Sequence, residues 1–113
     1  MMLKRPREKD AKHLDFVRSL PCVCCGNDIE TEAAHLRTGN LTYGKPPTGM
    51  GEKPSDKWAL PLCGECHRDQ HKGNEIVFWR SIGIDPYILA MSLYVNTGDR
   101  EMACTAIERQ RSS

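Results

Sequence analysis

The sequence is short of aromatic residues and of long apolar runs. Phe, Trp and Tyr make up 6% of its 113 residues, whereas charged residues make up 27%. A chain of this length is expected to form one domain with a small hydrophobic core. No stretch approaches the ~20 consecutive apolar residues of a membrane-spanning helix, and no signal-peptide-like apolar segment follows the first residues. We therefore expect a cytoplasmic protein with no membrane partner, in which a metal staple would help the small core.

A strong net charge is also missing. Sixteen Lys and Arg residues against fifteen Asp and Glu residues leave a net charge of +1, so overall charge argues neither for nor against nucleic acid. Local basic clusters can still bind phosphate, although each is equally consistent with a solvated surface. The clusters are an N-terminal run and a central group: Lys4, Arg5, Arg7, Lys9 and Lys12, then Arg37, Lys45, Lys53 and Lys57.

Cysteine spacing gives the strongest signal. Two pairs with a two-residue gap, Cys22 with Cys25 and Cys63 with Cys66, predict a four-thiolate structural zinc site. Disulfides are the less favoured alternative, because nothing in the sequence indicates secretion. Cys24 leaves open which two of the first three cysteines bind metal, and the spacing favours Cys22 and Cys25.

Three of the four histidines fall in a pattern with one aspartate. His67 follows the second cysteine pair, and His71 lies four residues later. On a helix these two positions share a face, so both imidazoles can reach one divalent ion. His35 lies near the end of a predicted strand, and Asp56 precedes the next one. His13 belongs to no motif and is predicted to lie on the surface.

Apolar periodicity and turn residues predict an α+β fold in a single domain, residues 1–113. We expect an N-terminal helix within 1–20, a zinc-knuckle core over 21–73 and helices over 74–113. Within the core, strands 30–36 and 58–62 should pair antiparallel, and a helix should follow over 64–72. The segment 37–54 is rich in Gly and Pro and is predicted to be an irregular, mobile loop beside the site. The remaining helices are expected at 75–82, from Pro86 to about 95, and 100–110.

Several short motifs occur together in one order. They read Ala34-His35-Leu36-Arg37, then Gly49-Met50-Gly51-Glu52-Lys53-Pro54-Ser55-Asp56, then Cys63-Gly64-Glu65-Cys66-His67. This arrangement resembles the HNH (His-Me finger) endonucleases, in their zinc-knuckle prophage form, over roughly residues 22–71. The resemblance implies a small zinc-stapled ββα-metal, treble-clef-like core with flanking helices. It also implies hydrolysis of DNA in a bacterial or phage-infected cell, linked to recombination or DNA processing, with a recombinase–DNA filament as a candidate partner.

The resemblance also implies roles for individual residues. His35 would be the general base, with Asp56 orienting it or completing a metal shell. His67 and His71 would hold the catalytic divalent ion, Mg²⁺ or Mn²⁺, with Zn²⁺ as a third candidate. Ala34 stands where many members of the family carry a metal-binding acid or histidine, so the full ligand set of this ion stays open. The residues expected to contact DNA phosphates are Arg37, Lys45 and Lys53.

One alternative remains at this point: a non-catalytic, zinc-stabilised module that binds DNA or protein, in effect a degenerate HNH scaffold. Such a module needs the four cysteines. It has no use for His35, Asp56, His67 and His71 together, so the sequence favours the enzyme. Nothing in the sequence indicates the oligomeric state.

Overall fold

The fold is that of a small α+β domain, confirming the predicted class at this level. The computed structural model describes residues 8–47 and 53–112. In chain order the elements are α1 (Ala11–Arg18), β1 (Thr31–His35), a 3-10 turn (Leu41–Tyr43), a second 3-10 turn (Asp56–Trp58), β2 (Ala59–Cys63), α2 (Gly64–His71), α3 (Glu75–Ser81), α4 (Pro86–Val95) and α5 (Arg100–Ser112).

The two strands pair antiparallel, as predicted, and they set the position of every site residue. The register places Thr31 opposite Cys63 and His35 opposite Ala59. All five residues of β2 are buried, since its sequence is apolar and helices or the first knuckle cover it. β2 begins one residue later than predicted, because Trp58 belongs to the preceding 3-10 turn. The sheet therefore joins the second cysteine pair at one end to His35 at the other.

Helix α1 is shorter than the predicted N-terminal helix. Asp10 caps it by accepting a hydrogen bond from the backbone N–H of His13, so the helix begins at Ala11. Glu8, before the cap, runs beside Ser55 and Asp56, with the Asp56 N–H donating to the Glu8 carbonyl at 2.9 Å. Residues 1–7, which carry part of the predicted basic cluster, lie outside the described part of the chain.

The C-terminal helices complete the core against β2. Asp85 caps α4 ahead of Pro86, as the sequence indicated, and the inward residues of α4, including Leu89 and Leu93, are fully buried. Arg100 at the start of α5 donates hydrogen bonds to the Ser19 carbonyl and the Asp28 carboxylate, which ties α5 to the end of α1. The result is one core shared by the sheet and the helices on either side of it.

The central segment is more ordered than predicted. Over residues 37–47 it forms the first 3-10 turn and a bridge between Asn40 and Lys45. The bridge closes tightly: a Cβ on Gly39 would lie 2.6 Å from the Pro47 nitrogen, so only glycine fits there. The prediction of an irregular segment is wrong for residues 37–47, and residues 48–52 lie outside the described part of the chain.

Across the described residues, no individual helix combines the length and apolarity needed to cross a membrane. Among the described residues, only α3 and α4 taken together have the necessary length and apolarity, and they meet at a bend of 86°.

Candidate functional site

The four predicted zinc cysteines converge on one point. The ligand atoms of Cys22, Cys25, Cys63 and Cys66 all lie within 4.8 Å of one another. In the first knuckle, Gly26 adopts a positive φ of 79° and its N–H donates to the Cys22 carbonyl, closing the tight turn. The second knuckle opens α2, whose first turn carries Cys66. Cysteines that are far apart in the sequence therefore meet, because β2 ends at Cys63, which lies beside the first knuckle.

The donor set fits a tetrahedral metal. Zn–S bonds of about 2.3 Å in a tetrahedron place sulfur atoms about 3.8 Å apart. The Sγ atoms of Cys25 and Cys63 lie 3.7 Å apart. In the part of the chain that the structure describes, this is the one group of three or more Cys, His, Asp or Glu residues gathered so closely. The cluster could therefore hold a structural metal such as zinc.

The electrostatics of the cluster also suit a cation. Burial, followed by hydrogen bonds from the neighbouring thiols, raises the pKa of Cys66 far above its ordinary value. Burial also opposes ionisation of Cys22, but backbone hydrogen bonds from Cys63, Cys25 and Cys24 outweigh it and lower the pKa of Cys22. Crowded thiols resist losing several protons unless a positive charge arrives, and a bound metal ion supplies one.

His35 and Asp56 form a hydrogen-bonded pair at the other end of the sheet. The His35 Nε2 lies 2.9 Å from the Asp56 Oδ1, with 23% of the histidine side chain and 4% of the aspartate side chain exposed. A carboxylate can only accept, so His35 donates from Nε2 and its Nδ1 carries the lone pair. The pair thus presents a half-buried imidazole with an accepting nitrogen and a buried anion behind it.

The N-terminal segment holds Asp56 in place, which the sequence did not indicate. The backbone N–H of Asp10 donates to the Asp56 Oδ2 at 2.7 Å, while Glu8 bonds to the backbone of Asp56 and to the Ser55 hydroxyl. Each Asp56 oxygen therefore has a partner, one from His35 and one from Asp10. Only an Asp-x-x-His capping pattern at residues 10–13 hinted that this segment was fixed.

His67 and His71 lie on one face of α2, as predicted. Their Nε2 atoms are 3.0 Å apart, and their ring centroids are 4.7 Å apart. Two nitrogens bound to one ion at about 2.1 Å with a right angle between them would be about 3.0 Å apart. In this structure the contact is a hydrogen bond between the two rings, and the same two nitrogens could instead hold a divalent ion.

The predicted site residues fall into two pairs rather than one cluster. His35 and Glu32 are three apart on β1, so their side chains leave opposite faces of the strand. Glu32 lies against His67, whereas His35 lies against Asp56. The sequence predicts that His35 faces His67 and His71. In the structure, the side chain of His35 contacts Asp56 instead.

The three predicted phosphate contacts differ in exposure. Arg37 and Lys53 are exposed. Lys45 is 1% exposed, and its ammonium donates to the carbonyls of Arg37 and Pro46 at 3.3 Å. Burial lowers the pKa of Lys45. Its hydrogen bonds to the two carbonyls give it a structural role, because they hold the bridge between Asn40 and Lys45 closed. This burial argues against the assignment of Lys45 to DNA.

His13 is also buried, against the prediction that it lies on the surface. It is 0% exposed, its Nδ1 lies 2.7 Å from the Thr97 hydroxyl, and its Nε2 has no hydrogen-bond partner among the described residues. Thr97 gives its own proton to the Tyr94 carbonyl, so it accepts from His13 Nδ1–H. Burial lowers the pKa of His13, so it is a neutral core residue.

These features define a class: a small α+β domain built around a four-cysteine cluster that could bind metal. The chain belongs to the family described as "Protein of unknown function (DUF968)", whose model matches residues 1–96. It is also similar to the "Uncharacterized protein YdfU" of Escherichia coli (strain K12), with 35% identity over 68 residues. That match covers 60% of this chain but only 18% of the relative. No solved structure matches the chain.

Proposed function

We propose that this domain is a metal-dependent DNA endonuclease of the ββα-metal type, with His35 as general base and one divalent ion on α2. The observation that carries the proposal is the hydrogen bond between His35 and the buried Asp56 carboxylate. A histidine backed by a carboxylate and exposing its other nitrogen is an arrangement suited to proton abstraction near neutral pH.

His35 would act through Nδ1. This nitrogen takes a proton from a water molecule as the water oxygen attacks phosphorus and the bond to the leaving oxygen breaks. Asp56 stabilises the resulting imidazolium and fixes the ring through Nε2–H. Two hydrogen bonds hold Asp56 itself, so the ring does not need to reorganise during proton transfer.

His67 and His71 are the residues that would hold the divalent ion. The ion, when bound, would supply positive charge to the phosphate and leaving oxygens. The two pairs lie on opposite faces of β1, so joint action on one phosphate would require the bound DNA to bring both pairs to it. Arg37 and Lys53 are exposed and would contact the DNA backbone.

The second candidate is a non-catalytic module that binds DNA or protein. The separation of His35–Asp56 from His67–His71 favours it, because a binding module needs no general base beside a metal ion. DNA binding without cleavage is the behaviour that this candidate predicts.

A plasmid-nicking assay tests the proposal. Zinc-loaded protein should nick supercoiled DNA when Mg²⁺ or Mn²⁺ is added and not when it is omitted. Omission is a better control than a strong chelator, which would also strip the cysteine cluster. His35→Ala should slow nicking by about 10²–10⁴-fold, the usual contribution of a general base. Thr31→Ala, on the same strand, is the matched control.

The two candidates then separate cleanly. Wild-type nicking by His35→Ala would reject His35 as the base. DNA binding with no nicking by the wild type under any ion would support the non-catalytic module instead.

DNA contact can be tested apart from chemistry. Replacing Arg37 and Lys53 with Ala should weaken DNA affinity and reduce the slope of log affinity against log salt by about 0.9 for each lost phosphate contact. The Arg80→Ala, Arg109→Ala double variant removes the same charge from exposed helix positions outside both basic clusters and should leave the slope unchanged. An unchanged slope in the first variant would remove this surface from the proposal.

A further inference from the structure

Glu32 has no role in any sequence motif, yet its carboxylate lies against one of the two helix histidines. The Glu32 Oε1 is 2.7 Å from the His67 Nδ1, with 54% of the glutamate side chain and 21% of the histidine side chain exposed. We propose that Glu32 is the positioning residue of His67, fixing which nitrogen this imidazole offers to a metal ion. The inference rests on the divalent-ion site of the proposed function.

The contact is formed by two elements that the fold already fixes. Glu32 lies on β1 opposite Leu62 of β2, and His67 lies in the first turn of α2, which follows β2 directly. The carboxylate also reaches the start of the helix, since a Cβ on Gly64 would lie 3.3 Å from the Glu32 Oε2. Negative charge is favoured beside the first turn of a helix, so this position suits a carboxylate.

Glu32 determines the tautomer of His67. An ionised carboxylate only accepts hydrogen bonds, so the proton of neutral His67 lies on Nδ1. The Nε2 atom therefore carries the lone pair. This is the atom 3.0 Å from the Nε2 of His71. The hydrogen bond thus orients a ligand nitrogen toward the other imidazole of the pair.

A carboxylate behind a ligand histidine also increases the electron-donating strength of the ligand. Loss of such a partner typically costs 10–100-fold in metal affinity. Glu32 could serve His67 in this way, because its bond occupies the nitrogen that points away from His71. The sequence did not predict a carboxylate beside His67, because Ala34 occupies the position where a metal-binding acid was expected.

Metal affinity is the direct test. Protein with its cysteine cluster filled by zinc is titrated with Ni²⁺ in a calorimeter, because imidazole nitrogens favour this ion and no DNA is needed. Zinc content is measured before and after titration to confirm that Ni²⁺ has not displaced it. The wild type should bind one further ion, and His67→Ala should lose that binding.

The variants at Glu32 distinguish positioning from other effects. Glu32→Ala should weaken Ni²⁺ affinity by about 10–100-fold. Glu32→Gln keeps an oxygen that accepts from Nδ1–H, so it should recover a substantial part of the loss. Glu65→Ala, an exposed acid on α2, removes the same charge and should leave affinity unchanged.

Three results would overturn the inference: no Ni²⁺ binding beyond the zinc, a Glu32→Ala affinity equal to that of Glu65→Ala, or equal losses in Glu32→Ala and Glu32→Gln. The last would indicate a charge effect without positioning. Failure of the nuclease proposal would look different, since Ni²⁺ binding would depend on Glu32 while plasmid stayed intact. If the wild type nicks plasmid but Glu32→Ala binds Ni²⁺ as tightly as the wild type, the inference is wrong and the proposed function stands.

Discussion

Asp56 is the residue at which the N-terminal segment and the first strand meet. It accepts from His35 on one oxygen and from the Asp10 backbone on the other, and 3% of the residue is exposed. A buried anion with both oxygens bonded is far less costly than an unpaired one. The same contacts that make the anion tolerable also orient His35, so stability and the proposed chemistry depend on one side chain.

His13 gives the protein a predictable response to acid. Burial lowers its pKa in the folded state, so below the unfolded value of about 6.5 the unfolded chain binds the proton more readily. Folding stability should therefore fall as pH decreases through about 6.5, by up to about 1.4 kcal/mol per pH unit from this group, until the lowered folded pKa is reached.

Urea denaturation at pH 7.5 and 5.5 measures this effect. The stability lost between the two pH values should be smaller for His13→Leu than for the wild type, because leucine cannot take a proton. Both proteins keep the same cysteines, so acid release of metal affects them alike. Equal losses in the two proteins would show that His13 is not the titrating group.

At the scale of residues, the sequence predicts only those features that a local sequence pattern encodes. The pairing of cysteines within each knuckle and the spacing of His67 and His71 could be predicted, because residues two to four positions apart carry their geometry with them. Glu32 and the burial of His13 could not, since each depends on which distant element packs against it. Lys45 failed for a related reason: a lysine between glycines and prolines looks exposed, but the bridge around it buries the side chain.

At the scale of elements, Glu75 at the start of α3 fastens the central segment to the helices. Its Oε1 accepts from the backbone N–H groups of Arg37 and Thr38 and from the Thr38 hydroxyl, at 2.6–2.8 Å. Tyr87 of α4 adds a hydrogen bond to the Thr38 carbonyl at 3.0 Å. The chain leaving β1 is thus fixed just beyond His35.

Removing this clamp should loosen the segment. Glu75→Ala removes the acceptor of two exposed backbone donors, which we expect to cost about 0.5–1.5 kcal/mol of folding stability, because water can take the place of the lost oxygen. Hydrogen exchange at the Arg37 and Thr38 amides should accelerate more than exchange within α4. Glu108→Ala, an exposed change on α5, is the control. Unchanged exchange at both amides would mean that other contacts hold the segment.

The order and type of the helices and strands could be read from the sequence, because caps and periodicity are local signals. Asp85 followed by Pro86 located the start of α4, and Asp99 caps α5 through the Met102 N–H at 3.1 Å. The segment after His35 could not be read in this way. Its order comes from Glu75 and Tyr87, which lie far along the chain, whereas its glycines and prolines only indicate the absence of long helices and strands.

At the scale of the whole molecule, the cysteine cluster joins the N-terminal knuckle to the junction of β2 and α2. A metal bound there links the two ends of the segment that contains both His35 and Asp56. We expect one zinc per chain, with its removal unfolding the domain, because binding free energy at such sites is also folding free energy.

Matched cysteine variants test this expectation. Cys63→Ser should lose zinc and the cooperative unfolding transition. Cys24→Ser should keep one zinc per chain, since Cys24 hydrogen-bonds to Cys66 but lies outside the group of four ligand atoms. Zinc content by elemental analysis and thermal melts by circular dichroism report both effects. Zinc loss in Cys24→Ser would place this thiol among the ligands.

Pro61, in the middle of β2, has a consequence for association between molecules. A proline in a strand has no N–H to donate, and the carbonyl of Pro61 already accepts from Val23 at 3.0 Å. Because the N and O atoms of one strand residue face the same side, both groups lie on the edge of β2 away from β1. A strand from another chain would find neither a donor nor an unused acceptor at that point. The sheet is thereby protected against edge-to-edge aggregation along β2.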